Sequence, residues 1–173
     1  MASRIAWPDG VEDRHTQASP RTRYAGLPSL ALLILVMLLA LLGLAGREST
    51  VEADVSGVRL EWHAPTVIRN GEFFEMRIAV ESSQPIERLV LGVDASVWED
   101  FTVNTFIPSA EAETSRDDEF RFDFGSLEAG TSLLVKVDAQ INPDTLGGNA
   151  GTVTVYDGQE ALVSLPVHIE VLP

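Results

Sequence analysis

The chain has 173 residues, no cysteine, and 26 acidic against 12 basic side chains, which gives a formal net charge of −14. This acidity disfavours nucleic acid as a partner, because the chain would repel phosphate. The lack of cysteine excludes a disulfide-stapled fold, so a core must rely on apolar packing.

Residues 1–26 mix Arg, Asp, Ser, Thr and Pro with isolated apolar residues and show no period of 2 or 3.6. Such a segment cannot bury enough apolar surface to offset the entropy of ordering it. We expect it to be a flexible cytoplasmic tail.

The next segment, Leu27–Gly46, contains no charged residue. As a helix it is long enough to cross the ~30 Å hydrocarbon layer of a bilayer. Arginines are concentrated before the segment, so the positive-inside rule places the N-terminus in the cytoplasm. The sequence therefore predicts a single transmembrane helix over Leu27–Gly46, embedded in the lipid bilayer of the cell membrane, with the C-terminal domain periplasmic or extracellular. A cleaved signal peptide is the alternative, since Gly43-Leu44-Ala45 offers small residues at the spacing that signal peptidase reads.

Residues 47–56 are polar and are predicted to be a linker. From residue 57 to residue 173, apolar residues recur at every second position in several runs, the pattern of strands with one buried face. The clearest runs are Phe74–Val80, Phe120–Phe124, Leu133–Ile141 and Val163–Val171. Turn formers separate the runs at spacings of about ten residues, which predicts a mainly β fold, an antiparallel Ig-like β-sandwich of about seven or eight strands.

Some elements of this domain resemble the Ig-like modules of the CARDB and DUF11 type found in bacterial envelope proteins. The resemblance lies between Phe120 and Asp157, in an aromatic strand ending in Phe124-Gly125-Ser126-Leu127, then Glu128-Ala129-Gly130-Thr131, and then a long alternating strand. Gly71-Glu72-Phe73-Phe74 resembles the start of the core in the same modules. The resemblance implies a sandwich with a binding or spacing role, and it implies no catalytic residue.

The sequence offers little catalytic chemistry. There is no nucleophile-elbow pattern, and the glycine-rich run at 147–151 lacks the Lys-Ser/Thr of a phosphate loop and precedes a strand. His63 and His168 fall near the end or on the polar face of predicted strands, where a surface role is expected. We therefore expect a protein that is not an enzyme and that needs no cofactor.

Calcium is the one metal that the composition suggests. Asp94, Glu99 and Asp100 share one predicted loop, and Asp117 and Asp118 lie in another. Ca²⁺ prefers several hard oxygen ligands, which loops at one end of a sandwich can supply. A calcium-responsive adhesion or wall-associated domain is thus an alternative function, although acidic loops commonly serve only solubility.

The leading prediction is a membrane-anchored accessory module that contacts another membrane or envelope protein. Val97, Trp98, Phe106 and Ile107 are predicted to supply apolar anchors in loops, unless they close the ends of the core instead. Pro166 cannot donate to a sheet ladder, so it marks an edge strand that a partner could extend.

Overall fold

The structure is a computed structural model that describes Asp9 and residues 20–41, 48–145 and 147–173. The chain divides into two compact units, residues 1–44 and residues 45–173. The predicted tail therefore lies largely outside the described residues, as do residues 42–46 of the predicted membrane span.

The first unit contains a helix, α1, that spans Pro20–Leu41. It begins seven residues before the predicted span, within the segment expected to be flexible, since proline suits the first position of a helix and the residues that follow tolerate helical geometry. The side chains of residues 26–40 are exposed. Within the described ranges, no helix combines the length and the apolarity that crossing a membrane requires. The span predicted over Leu27–Gly46 is thus not supported by the structure.

The second unit is a β-sandwich of two sheets. Its strands are β1 (Glu48–Val55), β2 (Val58–Pro65), β3 (Val67–Arg69), β4 (Phe73–Ser82), β5 (Leu89–Asp94), β6 (Phe101–Ile107), β7 (Ala112–Arg116), β8 (Glu119–Asp123), β9 (Thr131–Ile141), β10 (Gly147–Asp157) and β11 (Glu160–Leu172). A short helix, α2 (Ala95–Trp98), follows β5. The five-stranded sheet has the order β1-β2-β4-β9-β6, and the six-stranded sheet has the order β3-β11-β10-β5-β8-β7.

The alternation predicted from the sequence is confirmed in the long strands. Phe74, Met76, Ile78 and Val80 of β4 are buried, and they face the core together with the alternate residues of β9 and β11. Period-2 burial is what a strand shows when one face packs on the opposite sheet and the other meets solvent. The core therefore lies between the two sheets.

The number and direction of the strands differ from the prediction. The described part of the chain holds eleven strands, and β3 pairs with β11 in parallel, so the sandwich is mixed rather than wholly antiparallel. Residues 48–55, predicted as linker, form β1, which pairs with β2 along its whole length. The additional strands β1, β3 and β7 lie at sheet edges; β1 and β7 are mostly exposed, and β3 has only three residues, too few to show a period.

The chain changes sheets between β2 and β3. β2 ends at Pro65 in the five-stranded sheet, and β3 begins at Val67 in the six-stranded sheet, where it pairs only with Glu170–Leu172 of β11. The backbone N–H of Glu170 donates to the carbonyl of Thr66 at 2.9 Å. Upstream of Glu170, no described strand pairs with this side of β11.

Candidate functional site

An apolar groove opens on the side of the sandwich where β1 and β2 lie beside β11. It has a volume of about 490 Å³, and its lining includes Val51, Trp62, Ala64, Pro166 and Val167. We call it the seam groove. Trp62, Ala64 and Val167 belong to the buried core, whereas Val51 on the edge strand β1 is 38% exposed. The groove exists because the chain leaves the five-stranded sheet at Pro65 and reaches β11 only near its end.

The edge of β11 along this groove is unpaired in the described structure, and Pro166 lies on it. Pro166 stands opposite Thr152 of β10, and Glu170, four residues later, donates its N–H away from β10 to Thr66. Residues an even number apart on a strand direct their backbone groups to the same side. The nitrogen of Pro166 therefore faces the free edge, where a missing N–H leaves no ladder bond unmade. The prediction that Pro166 marks an edge is consistent with this arrangement.

Two histidines each lie beside a glutamate, and one of them, His168, lines the groove. The Nε2 atom of His63 is 2.8 Å from Oε2 of Glu48, and its Nδ1 atom is 2.8 Å from the hydroxyl of Thr50. His168, which lines the groove, has its Nε2 atom 3.4 Å from Oε2 of Glu170. The groove therefore has His168 and the neighbouring carboxylate of Glu170 at its rim, while its floor is apolar.

The predicted loop anchors separate into buried and exposed residues. Val97 and Trp98 lie in α2 and are buried, and the Trp98 ring contacts Phe106 and Phe122, with centroids 6.1 Å and 5.2 Å away. Phe106 is partly buried against the same core. These three side chains close one end of the core rather than presenting a surface, which was the alternative reading of the sequence. Ile107 alone is well exposed, at 56%.

The acidic residues predicted as calcium ligands do not form a cluster. Among the residues that the structure describes, no three His, Cys, Asp or Glu side chains are grouped so that they could hold a metal ion. Asp94 accepts a hydrogen bond of 2.7 Å from the backbone N–H of Thr152, and Asp117 pairs with Arg116 at 3.1 Å. Asp118 accepts from the N–H of Ala95 through its backbone carbonyl.

Glu99 and Asp100 also contribute to the fold through their backbones. The carbonyl of Glu99 accepts a hydrogen bond of 3.3 Å from the side-chain amide of Asn142, and the carbonyl of Asp100 accepts one of 2.9 Å from the backbone N–H of Asn142. These bonds tie the loop after α2 to the end of β9. They give both residues a structural role that needs no metal.

A polar cluster that the sequence did not reveal lies on the outer face of the six-stranded sheet. Glu119 is buried there and accepts hydrogen bonds from the hydroxyl of Tyr156 at 2.8 Å and from Nε of Arg121 at 2.5 Å. The guanidinium of Arg121 also stacks on the Tyr156 ring, 4.3 Å from its centroid. Burial raises the pKa of Tyr156, and the neighbouring Glu119 raises it further. Burial opposes the charge of Arg121, but the bond to Glu119, the charge of Glu119 and the contact with Tyr156 together outweigh burial and raise the pKa of Arg121.

A second buried carboxylate, Asp123, lies four residues after Glu119, at the other end of β8. Its side chain accepts hydrogen bonds from Nε of Arg88 at 2.6 Å and from the N–H of Gly125 at 3.0 Å. Burial disfavours ionisation of Asp123, but the bonds from Gly125 and Arg88 outweigh burial and lower its pKa. The alternation predicted for β8 holds, but it did not indicate that Glu119 and Asp123 are buried, because their partners lie on β10 and in the connections beside the strand.

Comparisons with known proteins give a distant structural likeness. No protein-family model matches the chain, and no curated protein matches it significantly. The chain is similar to the solution structure of CaCohA2 from Clostridium acetobutylicum, a cohesin domain, at 16% identity and a TM-score of 0.41, over 61% of this chain and 85% of that one. It is also similar to the crystal structure of a complex of CaCohA2 with a variant of CaDoc0917, at 15% identity and a TM-score of 0.38, over 61% and 94% of the two chains. No comparison supports the expected resemblance to CARDB and DUF11 modules.

Sequence reasoning found one residue of the seam groove and missed the others. Pro166 was identified because proline has an intrinsic effect on strand pairing. Val51 and Trp62 were missed because the groove depends on where β2 leaves its sheet. The cluster around Glu119 had one usable signal, Gly92 in the middle of an apolar strand, since a glycine there indicates the close approach of another group.

Proposed function

We propose that residues 45–173 form a non-enzymatic module that binds an extended segment of another protein in the seam groove. The observation that carries this proposal is the juxtaposition of an apolar groove and an unpaired strand edge at β11. An exposed edge offers backbone hydrogen bonds to any extended chain, and an adjacent apolar groove gives those bonds side-chain selectivity.

The backbone of β11 sets the register of such a segment. By strand alternation, Ser164 and His168 direct both an N–H and a C=O toward the free edge, whereas Pro166 directs only a C=O. An incoming strand would thus form backbone hydrogen bonds with Ser164 and His168, but it would lack the hydrogen bond that an N–H at position 166 would donate. A gap at a fixed position favours one register over its neighbours.

The side chains of the bound segment would be apolar on one face. Successive side chains of a strand alternate, so every second one would enter the groove and contact Val51 and Trp62. The carboxylate of Glu170, beside His168 at the rim, favours a segment that is neutral or basic at its flanks. The acidity of the whole chain disfavours nucleic acid.

We infer binding rather than catalysis from the composition of the groove. Its floor consists of aliphatic and aromatic side chains, and its histidine, His168, lies at the rim beside Glu170. Catalysis would need a nucleophile, a base and a group that stabilises developing charge, all converging on one point. The groove walls supply apolar contact area instead.

We propose further that α1 holds this module at a membrane, outside the cytoplasm, where the partner is another membrane or envelope protein. The support is the uncharged stretch Leu27–Gly46 and the exposed apolar side chains along α1, such as Leu32 and Val36. Alkaline carbonate extraction of membranes tests the anchor. Protease added to intact spheroplasts tests whether the sandwich lies on the outer side of the membrane. Release by carbonate, or full protection of the sandwich from protease, would contradict this part. The mass of the mature protein distinguishes an anchor from a cleaved signal.

The groove is tested by placing a photo-crosslinking amino acid in the full-length protein in intact cells. One version carries it at Val51 in the groove, and the matched control carries it at Val103 on β6, the opposite edge strand of the same sheet. The two valines are 38% and 36% exposed, so reagent access is similar. We expect a discrete adduct from position 51 and none from position 103.

Substitution then tests whether the adduct reflects specific binding. Val51→Asp places a charge in the apolar groove and should weaken binding of the crosslinked partner about tenfold or more, whereas Val103→Asp should not. Equal adducts from both positions, or unchanged binding by Val51→Asp, would refute the seam groove as the site.

A further inference from the structure

The outer face of the five-stranded sheet carries a row of basic side chains that do not line the seam groove. His63 of β2 lies opposite Arg77 of β4, and Arg77 lies opposite Lys136 of β9. Ile107 of the edge strand β6 completes the row opposite Lys136. None of these residues lines the seam groove.

Placing cations directly opposite each other on neighbouring strands is unfavourable. Arg77 offsets part of this cost through an ion pair with Glu75, whose Oε1 atom is 2.5 Å from Nε of Arg77. His63 is bound to Glu48. Lys136, the only lysine of the chain, has no hydrogen bond or ion pair from its side chain to any residue that the structure describes. Among the described residues, this ammonium group therefore has no carboxylate partner, although the chain has 26 acidic residues.

Exposed apolar side chains border this unpaired cation. Leu134 precedes Lys136 by two residues on the same face of β9 and is 46% exposed, and Ile107 lies across from it on β6. Ala79 of β4 stands opposite Leu134. A cation between two exposed aliphatic side chains suits a ligand that combines a negative charge with apolar neighbours.

Carboxylates flank the basic row on both sides. Glu61 lies in the neighbouring row with Ala79 and Leu134, and Glu75 and Asp138 form the next row on the other side. Adjacent rows on one face of a sheet are separated by two residues, about 7 Å. A broad anionic surface such as a membrane would meet these carboxylates, whereas a single carboxylate on a narrow extended chain would fit between them.

We propose that Lys136, Arg77, Leu134 and Ile107 form a docking patch for an extended acidic and aliphatic segment of a partner protein. One carboxylate of the segment pairs with Lys136 and Arg77, and the neighbouring aliphatic side chains pack on Leu134 and Ile107. This patch is a second interaction surface and does not depend on the seam groove.

The single lysine makes the patch directly observable in the full-length protein. An amine-reactive acylating reagent labels Lys136 and the N-terminal amine, and the second group serves as an internal reference. The probes are the capped peptide Val-Ser-Asp-Ser-Val, which in extended form carries an aspartate between two valines on one face, the matched peptide with lysine in place of aspartate, and vesicles of phosphatidylglycerol. We expect the aspartate peptide alone to slow acylation of Lys136 severalfold and to leave the N-terminal amine unaffected.

Charge variants supply the second readout, the affinity of the fluorescent aspartate peptide. Lys136→Glu should weaken binding of this peptide about tenfold or more. Lys136→Arg should retain binding, because arginine, like the native lysine, supplies a cation at this position. Thermal unfolding verifies that the variants fold. Val51→Asp should bind this peptide normally, so failure of the groove and failure of the patch are distinguishable. Absence of protection by the aspartate peptide, or protection by vesicles alone, would overturn the proposal.

Discussion

The close packing above Gly92 leads to a prediction whose size follows from the structure. Gly92 lies on β5, between β10 and β8, under the side chains of Glu119 and Tyr156. A Cβ atom added at this position would stand 2.2 Å from Oε1 of Glu119 and 2.8 Å from Cε2 of Tyr156. Gly92→Ala must therefore displace a carboxylate that is held by Tyr156 and Arg121.

Two opposing effects determine the magnitude. Alanine is favoured over glycine within a strand by roughly 0.5–1 kcal/mol. Overpacking costs about 1–3 kcal/mol, and a hydrogen bond to a charged group contributes about 1.5–3 kcal/mol, part of which is lost when Glu119 moves. We expect Gly92→Ala to lower the free energy of unfolding by about 2 kcal/mol.

Urea unfolding of a double-mutant cycle measures this effect. In a Glu119→Ala background, the obstructing carboxylate is absent and the Tyr156 ring is free to turn, so adding Gly92→Ala should cost less than about 0.5 kcal/mol. Gly148→Ala is the matched control, because its Cβ would approach Cε1 of His168, an exposed side chain that can move. An equal cost of Gly92→Ala in both backgrounds would refute the reasoning.

Three further predictions concern the core, the acid response and the open edge. Trp98→Ala should lower the free energy of unfolding by about 3–5 kcal/mol in urea, because Trp98 fills the core; a loss below about 1 kcal/mol would contradict a core position. The pKa of Asp123 is lowered in the folded state. The ionised carboxylate of Asp123 therefore stabilises the fold above the unfolded pKa of about 3.9, and this stabilisation is lost as pH falls through the folded pKa. Asp123→Asn should therefore lower the free energy of unfolding by about 1–2 kcal/mol at neutral pH and by less in acid. An equal loss at both pH values in urea unfolding would disprove a stabilising role of the ionised carboxylate. Pro166→Thr should change stability by less than about 0.5 kcal/mol but increase self-association in light scattering, since it restores an N–H to a free edge; a strictly monomeric variant would argue against an open edge.

Period-2 patterns were sufficient to predict the long inner strands. In β4, β9 and β11, one face packs on the opposite sheet. Burial therefore alternates along each strand in the same way as the apolar and polar residues of the sequence. The edge strands β1 and β7 could not be predicted in this way, because an edge strand needs only one neighbour and its residues are mostly exposed. Their positions follow from pairing with β2 and β8.

The candidate sites show the same division. Pro166 was predictable as an edge residue because its missing N–H is a property of the residue itself. For Trp98 the sequence left open a surface anchor or a residue that closes the end of the core, since an aromatic residue in a short loop segment has no local pattern that distinguishes the two roles; the structure shows the second. The burial of Glu119 and Asp123 was also not predictable, because their partners lie on β10 and in the connection before β5.

The sequence by itself determined the acidic surface, the uncharged stretch after residue 26 and the mainly β character of the rest, because these depend on residue type and on near neighbours along the chain. Only the tertiary structure decided the sheet order, the groove beside β11 and the row of basic side chains on the outer face. Those features depend on which strands become neighbours. Strand pairing joins residues that are far apart in the sequence, and the local pattern of one strand does not indicate its partner.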